Sequence, residues 1–261
     1  MKNTLGKKNI LLFLGIFFFF LPGCQEKADS GCNGENSNKC AMLALANSFS
    51  TQLGSSSSST PAEPLCLGSV MVYNWGTFTD CQNGTVKFVG VDGTFGGYTY
   101  TAKTLYFAKC TFGQTYDSSG NTCTGTATSV KFCSTADESC VDPTTKILNG
   151  FGTSEVYSAC KGFSLAGKTW RVPTIYELKL LINCNNNSMP NNGAACASYT
   201  SPAISSLFPN TPYLNYFSEA TWSSTGDSNS TAQARYIYFL SGFPDVSNKT
   251  NSGTVRCISG E

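Results

Sequence analysis

The sequence predicts an α+β fold that is rich in disulfides, with antiparallel strands and two or three short helices. Between residues 65 and 140, short runs of β-branched and aromatic residues alternate with glycine-containing turns, which is typical of hairpins. Signals for the start of helices follow between residues 151 and 200. The chain also has 13 cysteines, a number that indicates a disulfide framework in an exported protein.

The amino terminus has the organisation of an export signal. Lysines at the start precede an apolar run from Ile10 to Leu21. This run is shorter than the roughly 20 residues that cross a bilayer, so we interpret residues 1–23 as a signal peptide. Its end, Leu-Pro-Gly-Cys, resembles the lipobox of bacterial lipoproteins, which implies diacylglycerol and a fatty acyl chain such as palmitate on Cys24. An ordinary secretory signal with a chance cysteine is the alternative.

The next segment has the composition of a tether. Residues 24–64 include the serine run 55–59 and precede the head domain, residues 65–261. Serine-rich segments bury too little apolar surface to offset chain entropy. Gln25 stands where an aspartate often retains lipoproteins at the inner membrane. We therefore expect a lipid-anchored protein on the bacterial outer membrane, exposed at the surface.

Composition narrows the range of functions. The chain has 17 basic and 16 acidic residues and no basic cluster, so we expect no nucleic-acid partner. It has no histidine, which excludes the usual Ser-His-Asp and Cys-His nucleophiles and histidine-ligated metals. We expect no catalytic residues, metal or cofactor.

Once Cys24 is assigned to the lipid, an even number of cysteines remains. No two of them are separated by just two residues, which argues against a thiolate metal site. Pairing by proximity along the chain is the simplest arrangement, although the sequence leaves other connectivities open. The pairs are then Cys32 with Cys40, Cys66 with Cys81, Cys110 with Cys123, Cys133 with Cys140, Cys184 with Cys196, and the remaining Cys160 with Cys257.

The elements are predicted in order along the chain. Turns of the type I′ class are expected at Asn83-Gly84 and Asp92-Gly93. A first helix is expected from Glu155 to Lys161 with Ser154 as its N-cap, and a second after a capping box formed by Thr174 and Glu177. A third is expected from Ser201-Pro202 to about Phe208. The predicted strands are residues 69–73, 85–89, 98–100, 105–107, 222–224, 235–239 and 254–258.

A set of motifs in the second half carries a family resemblance. In order, they are Trp170-Arg171-Val172-Pro173-Thr174 with Glu177-Leu178, Leu207-Phe208-Pro209-Asn210, Trp222-Ser223-Ser224-Thr225 and Val255-Arg256-Cys257. Together they resemble the Lcl C-terminal domain family over roughly residues 100 to 260, most specifically from residue 150 onward. Phe107 and Thr221 depart from the Trp and Tyr that are common in that family.

The resemblance implies a fold and a role. The family is related to C-type lectin-like and formylglycine-generating domains, and it is named after a bacterial collagen-like adhesin that binds sulfated glycans. It implies a C-type-lectin-like head that binds glycans or extracellular matrix. In such folds a disulfide joins the first helix to the last strand, in agreement with Cys160 and Cys257. The calcium motifs of sugar-binding lectins are missing, so calcium is not expected.

Residues of the loops near the carboxyl end are the candidate ligand-binding residues, because loops on a rigid scaffold usually carry recognition. An Arg or Lys beside tyrosines can hold a sulfate group. These candidates are Tyr213, Tyr216, Arg235 and Lys249.

The residues of the family motifs are expected to be structural. We expect Arg171 to be half-buried, Trp170 and Trp222 to lie in the core, and Arg256 to form an internal ion pair.

The prediction is therefore a surface lipoprotein that acts as an adhesin for sulfated glycans or host matrix. A structural envelope protein without glycan binding is the first alternative. An enzyme of the formylglycine-generating type is the second, and it requires free thiols.

Overall fold

The computed structural model describes residues 65–215 and 218–260. The predicted signal peptide, the lipidated Cys24, the tether, the pair Cys32 and Cys40, and Tyr216 lie outside these residues. The helices are α1 (Glu155–Lys161) and α2 (Ile175–Lys179). The strands are β1 (Val70–Tyr73), β2 (Gly76–Asp80), β3 (Thr85–Gly90), β4 (Gly93–Phe95), β5 (Tyr98–Tyr100), β6 (Thr104–Ala108), β7 (Thr115–Asp117), β8 (Thr122–Thr124), β9 (Val130–Lys131), β10 (Thr221–Gly226), β11 (Gln233–Tyr238), β12 (Phe243–Asn248), β13 (Ser252–Gly253) and β14 (Ile258–Ser259).

The predicted α+β class is wrong, because the described residues are mainly β. Their two helices have only 7 and 5 residues. The third helix, predicted after Ser201, does not form. The backbone there bonds to distant segments instead: Ala203 N–H donates to the Phe239 carbonyl at 2.7 Å, and Ser205 N–H donates to Leu181. These tertiary partners take the amides that a helix would need.

Both predicted helix starts are confirmed. The Ser154 hydroxyl accepts a hydrogen bond from Tyr157 N–H at 3.0 Å at the start of α1. At α2, Thr174 accepts from Glu177 N–H, and the Glu177 carboxylate accepts from Thr174 N–H, which completes the capping box. Neither helix has the length and apolar composition needed to cross a bilayer, within the part of the chain that is described.

A five-stranded antiparallel sheet forms one half of the fold, in the order β1-β2-β3-β6-β14. Along β2, buried residues alternate with partly exposed ones, as expected of a strand with one face in the core. The buried face presents Phe78, Phe88 and Phe107, which share one core with α2. The rings of Phe78 and Phe107 contact the ring of Phe208.

Glycines shape the turns of this half. The predicted turn at Asn83-Gly84 joins β2 to β3. The one at Asp92-Gly93 does not make a hairpin, because β2 and β6 already occupy both sides of β3. Instead, Gly96 and Gly97 have φ values of 54° and 75° and form the two-residue turn between β4 and β5.

The three-stranded sheet β10-β11-β12 and α1 surround a second core that contains Trp170, Trp222 and Tyr236. The predicted final strand over residues 254–258 is shorter than expected. Thr254 exchanges backbone hydrogen bonds with Ala220 and Trp222, so regular pairing with β6 is confined to β14.

Five disulfides have the predicted pairing. The longest loop, with a sequence separation of 97, is closed by Cys160 on α1 and by Cys257 just before β14. Every cysteine of the described residues is in a disulfide. The other pairs are Cys66–Cys81, Cys110–Cys123, Cys133–Cys140 and Cys184–Cys196.

Candidate functional site

A groove of about 480 Å³ lies between the chain that follows α2 and the segment from Thr200 to Asn210. This volume is within the range of about 300–1,000 Å³ that is usual for small-molecule sites. The lining side chains carry no charge, and most are amides or hydroxyls. They are Asn183, Asn185, Thr200, Ser201, Pro202, Ile204, Ser205, Ser206, Phe208, Pro209 and Asn210.

Two antiparallel segments build the groove. Ile182 and Ile204 form an isolated bridge, and Asn183 N–H donates to the Ala203 carbonyl at 3.2 Å. The disulfide Cys184–Cys196 fixes the loop between the segments. The wall is therefore held by backbone bonds and by a covalent link, which leaves side chains available.

The groove can recognise a ligand rich in hydroxyl groups. Its Asn185 and Thr200 side chains already bond to each other at 3.2 Å. By contrast, the side chains of Asn183 and Ser206 have no hydrogen-bond partner among the described residues. An amide donates from nitrogen and accepts at oxygen, and a hydroxyl does both. Phe208 lies behind these polar groups as a core residue that is 2% exposed.

Arg256 supports the groove from below. Its guanidinium lies 4.9 Å from the centre of the Phe208 ring. It donates to the Thr211 hydroxyl at 2.7 Å, and Thr211 in turn donates to the Phe208 carbonyl at 2.8 Å. This chain of contacts fixes the segment that carries Phe208.

The internal ion pair predicted for Arg256 is wrong. The guanidinium donates to the carbonyls of Ala108 and Lys109 and to the hydroxyls of Thr111 and Thr211. Burial lowers the pKa of Arg256 from 12.5 to about 9, so it remains positive at neutral pH. Oriented carbonyl dipoles take the place of a carboxylate here.

Comparison with known proteins relates this chain to one protein family. The family model described as the Lcl C-terminal domain matches residues 100–259, which include the whole groove. The chain belongs to the Lcl C-terminal domain family. A search of curated proteins found no match, and a search of solved structures found none either. Strands β1 to β4 precede the residues that match the Lcl C-terminal domain.

The predicted ligand-binding residues do not meet in this Lcl C-terminal domain. Tyr213 is half-buried against the core. Arg235 has a side chain that is 33% exposed, and it pairs with Asp227 at 3.1 Å. Neither residue lines the groove, and Tyr216 lies outside the described residues.

The inclusion of Lys249 among the ligand-binding residues is corrected, because its side chain is 0% exposed. Its ammonium donates to the carbonyls of Asp137 and Thr231, each at 2.7 Å. Burial lowers the pKa of Lys249, although the nearby Glu138 opposes the effect. An external sulfate cannot reach this cation.

Arg171 is half-buried, as predicted, and its guanidinium binds Glu177. Lys103 donates to the same carboxylate at 2.8 Å. Burial raises the pKa of Glu177, but Arg171 and Lys103 lower it more strongly, to about 2. A smaller cleft of about 260 Å³ lies beside Arg171, but this cation is already committed to its carboxylate.

The two tryptophans are core residues, as predicted. Trp170 and Trp222 are each 2% exposed. Their indole N–H groups donate to the carbonyls of Leu165 at 3.0 Å and Val130 at 3.2 Å. Neither ring offers a face to a sugar.

Sequence reasoning missed the asparagine wall of the groove. A signal was present: four of the five residues from 183 to 187 are asparagine, and the fifth is Cys184, which begins the loop closed by Cys196. The other wall belongs to the Leu-Phe-Pro-Asn family motif. Among the described residues, no group of three metal-binding side chains of the His, Cys, Asp or Glu type comes together.

Proposed function

We propose that this chain is a surface lipoprotein whose Lcl C-terminal domain binds glycans of host surfaces or matrix. The observation that carries the proposal is the uncharged groove, in which the amide of Asn183 and the hydroxyl of Ser206 have no partner among the described residues. Sugar hydroxyls are donors and acceptors that match such groups.

The amino-terminal sequence supports the location. A signal peptide that ends at Cys24 and a serine-rich tether would place the domain away from the membrane. Gln25 favours the outer membrane. A lipid anchor and a groove for hydroxyl-rich ligands together describe an adhesin.

Charge makes the ligand class more specific. The groove is lined by no lysine or arginine, Lys249 is buried, and Arg235 is paired with Asp227. We therefore propose that recognition at the groove is directed at neutral hydroxyls, and that sulfate groups add little. Binding of this kind is screened weakly by salt.

We do not propose the formylglycine-generating alternative. That chemistry needs free paired thiols, whereas all the cysteines of residues 65–215 and 218–260 form disulfides.

The test is binding of the full chain, in detergent, to immobilised sulfated and unsulfated glycans at low and high salt. We expect saturable binding that persists at high salt. Asn183→Ala should weaken it about threefold to tenfold, the size of one lost hydrogen bond. Asn251→Ala, a change at an exposed asparagine outside the groove, is the matched control.

Two outcomes would contradict the proposal. An absence of binding to every glycan at any salt would favour the structural envelope role. Binding that disappears at high salt and is unaffected by Asn183→Ala would indicate a charged site elsewhere on the protein.

A further inference from the structure

Four polar side chains that do not line the groove meet at the end of the five-stranded sheet. Asp80 ends β2, Lys109 follows β6, Tyr116 lies on β7, and Asn121 lies in the turn before β8. The side chains of Lys109 and Asp80 are 2% and 1% exposed. Lys109 and Asp80 are therefore closed to water, whereas Tyr116 and Asn121 are partly exposed.

One carboxylate oxygen contacts both nitrogens of the group. Lys109 Nζ donates to Asp80 Oδ2 at 2.6 Å, and Asn121 Nδ2 donates to the same oxygen at 2.7 Å. Lys109 Nζ also donates to Asn121 Oδ1 at 2.6 Å, and the Tyr116 hydroxyl donates to that carbonyl oxygen at 2.8 Å.

This arrangement brings together the chemical groups that take part in attack of an amine on an amide. The amine must lose a proton, and the nearby carboxylate of Asp80 can accept it. Burial raises the pKa of Asp80, but hydrogen bonds from Lys109, Asn121 and Gln82 lower it overall, so the carboxylate is ionised and can take up a proton, although the lowered pKa makes it a weaker base. Donors on Oδ1 polarise the carbonyl and stabilise the negative charge that develops on it.

We propose that Lys109 and Asn121 form an intramolecular isopeptide bond, with release of ammonia and with Asp80 as the proton carrier. Lys109 Nζ passes a proton to Asp80 Oδ2 and attacks Asn121 Cγ, which forms the new C–N bond. Asp80 then gives that proton to Nδ2, the Cγ–Nδ2 bond breaks, and Asp80 takes a second proton from Nζ. Ammonia removes this last proton and leaves as ammonium, so Asp80 is again a carboxylate.

The surrounding structure holds the reacting groups together. The disulfide Cys110–Cys123 flanks both of them, because Cys110 follows Lys109 and Cys123 lies two positions after Asn121. Asn121 has a φ of 50°, a left-handed conformation that asparagine tolerates and that fixes its place in the turn. Because folding already holds the two groups close together, the entropy cost of bringing them together does not add to the barrier of the reaction.

The reaction also changes the charge of the site. Conversion of the Lys109 ammonium into an amide nitrogen removes the cation and leaves the carboxylate of Asp80 buried without its charged partner, which costs stability. The new covalent bond and the hydrogen bond from Gln82 N–H to Asp80 Oδ1 have to offset that cost. The product closes the loop from Lys109 to Asn121 with a bond that reducing agents do not break.

Mass spectrometry of the full chain tests the proposal. After denaturation, reduction and alkylation, trypsin should cut an unlinked chain after Lys103, Lys109 and Lys131. The linked chain should resist cleavage at Lys109 and yield one species that spans residues 104–131. That species should be lighter than the linear peptide by one ammonia, with no backbone fragments from within the closed loop.

Quantitative release of separate peptides 104–109 and 110–131 would overturn the proposal. So would a species that joins Lys109 to the peptide of Asp80 with loss of one water, since this would make Asp80 the electrophile. Because the native chain provides these outcomes, the test does not depend on the folding of any variant.

Variants test the role of each group. Asn121→Ala should abolish the linked species, and Asp80→Asn should reduce its fraction at least tenfold while the Cys110–Cys123 disulfide still forms. Asp117→Asn, in the same hairpin but outside the group of four side chains and only partly buried, is the matched control and should leave the linked fraction unchanged. An unchanged linked fraction in Asp80→Asn would overturn the role of Asp80.

Discussion

Arg171 and Glu177 are joined by two parallel hydrogen bonds, Nη1 to Oε2 at 2.7 Å and Nη2 to Oε1 at 2.8 Å. The same carboxylate closes the capping box of α2 by accepting from Thr174 N–H at 2.9 Å. Arg171 also bonds through its backbone to Ile258 on β14. This pair therefore connects the start of a helix to the last strand of the sheet.

Replacement of Glu177 by Gln should destabilise the fold in a pH-dependent way. The pKa of Glu177 in the folded protein is about 2, below its ordinary value of 4.5. Because the folded-state pKa is the lower one, the stabilisation is complete above about pH 5 and is lost as pH falls toward 2. It corresponds to about 3 kcal/mol.

Denaturant unfolding at pH 7 and pH 3 measures this effect. The difference in stability between the native chain and Glu177→Gln should shrink at pH 3. Glu155→Gln, at an exposed glutamate, is the control and should show a smaller difference at pH 7. An equal difference for Glu177→Gln at both pH values would contradict the assignment.

Lys179 should make the fold more stable in mildly alkaline solution. Its side chain is buried and donates to the Gly96 carbonyl and to Asn192 Oδ1, each at 2.8 Å. Burial lowers the pKa of Lys179 from 10.5 to about 8. Between these values the unfolded chain binds more protons than the folded one, so stability rises with pH.

The native chain should gain about 2 kcal/mol relative to Lys179→Met between pH 7.5 and pH 9.5. Denaturant unfolding at both pH values measures the gain, and Lys161→Met, at an exposed lysine, serves as the control. A constant difference across this range would show that Lys179 stays charged in the folded protein.

The disulfides Cys160–Cys257 and Cys184–Cys196 should differ in their contribution to stability. The Cys160–Cys257 bond spans a sequence separation of 97, whereas the Cys184–Cys196 bond spans 12. On the chain-entropy model, replacement of the first pair by alanines should cost about 4–5 kcal/mol, and replacement of the second about 3 kcal/mol. Denaturant unfolding without reductant measures both values, and the reverse order would argue against an entropic origin.

Arg256→Lys should destabilise the fold by about 2–4 kcal/mol, because an ammonium cannot serve two carbonyls and two hydroxyls in a planar fork. It should also weaken any ligand binding at the groove, since Phe208 and Thr211 lose their support. Arg235→Lys is the matched control and should cost less than about 1 kcal/mol, as expected of a partly exposed pair. Similar costs for both changes in denaturant unfolding would contradict this account.

Short-range features of this fold could be predicted from the sequence. The caps at Ser154 and Thr174 depend on hydrogen bonds across three residues, and the cysteine pairs with short loops follow from chain proximity. Each of these signals acts within a few residues or a single loop. Tertiary contacts therefore had little opportunity to change the outcome.

Long-range contacts decided the features that could not be predicted. Lys249 lies among Asn and Thr residues typical of a surface. Its side chain is nevertheless buried, and it donates a hydrogen bond to the carbonyl of Asp137, which is 112 positions away. The segment after Ser201 has helix signals, but its amides bond to strand and loop residues far along the chain. The groove itself exists only because two such segments meet.

The pairing of β14 with β6 has a consequence for biosynthesis. Ile258 aligns with Phe107 and Ser259 with Tyr106. About 150 residues must therefore be synthesised after β6 before its second neighbour is present. A ribosome delivers the polypeptide from its amino end, and until the final residues emerge, β6 is an unprotected sheet edge of the kind that recruits other chains. The last residues of the chain therefore complete the sheet, and the edge of β6 is covered only after they have been synthesised.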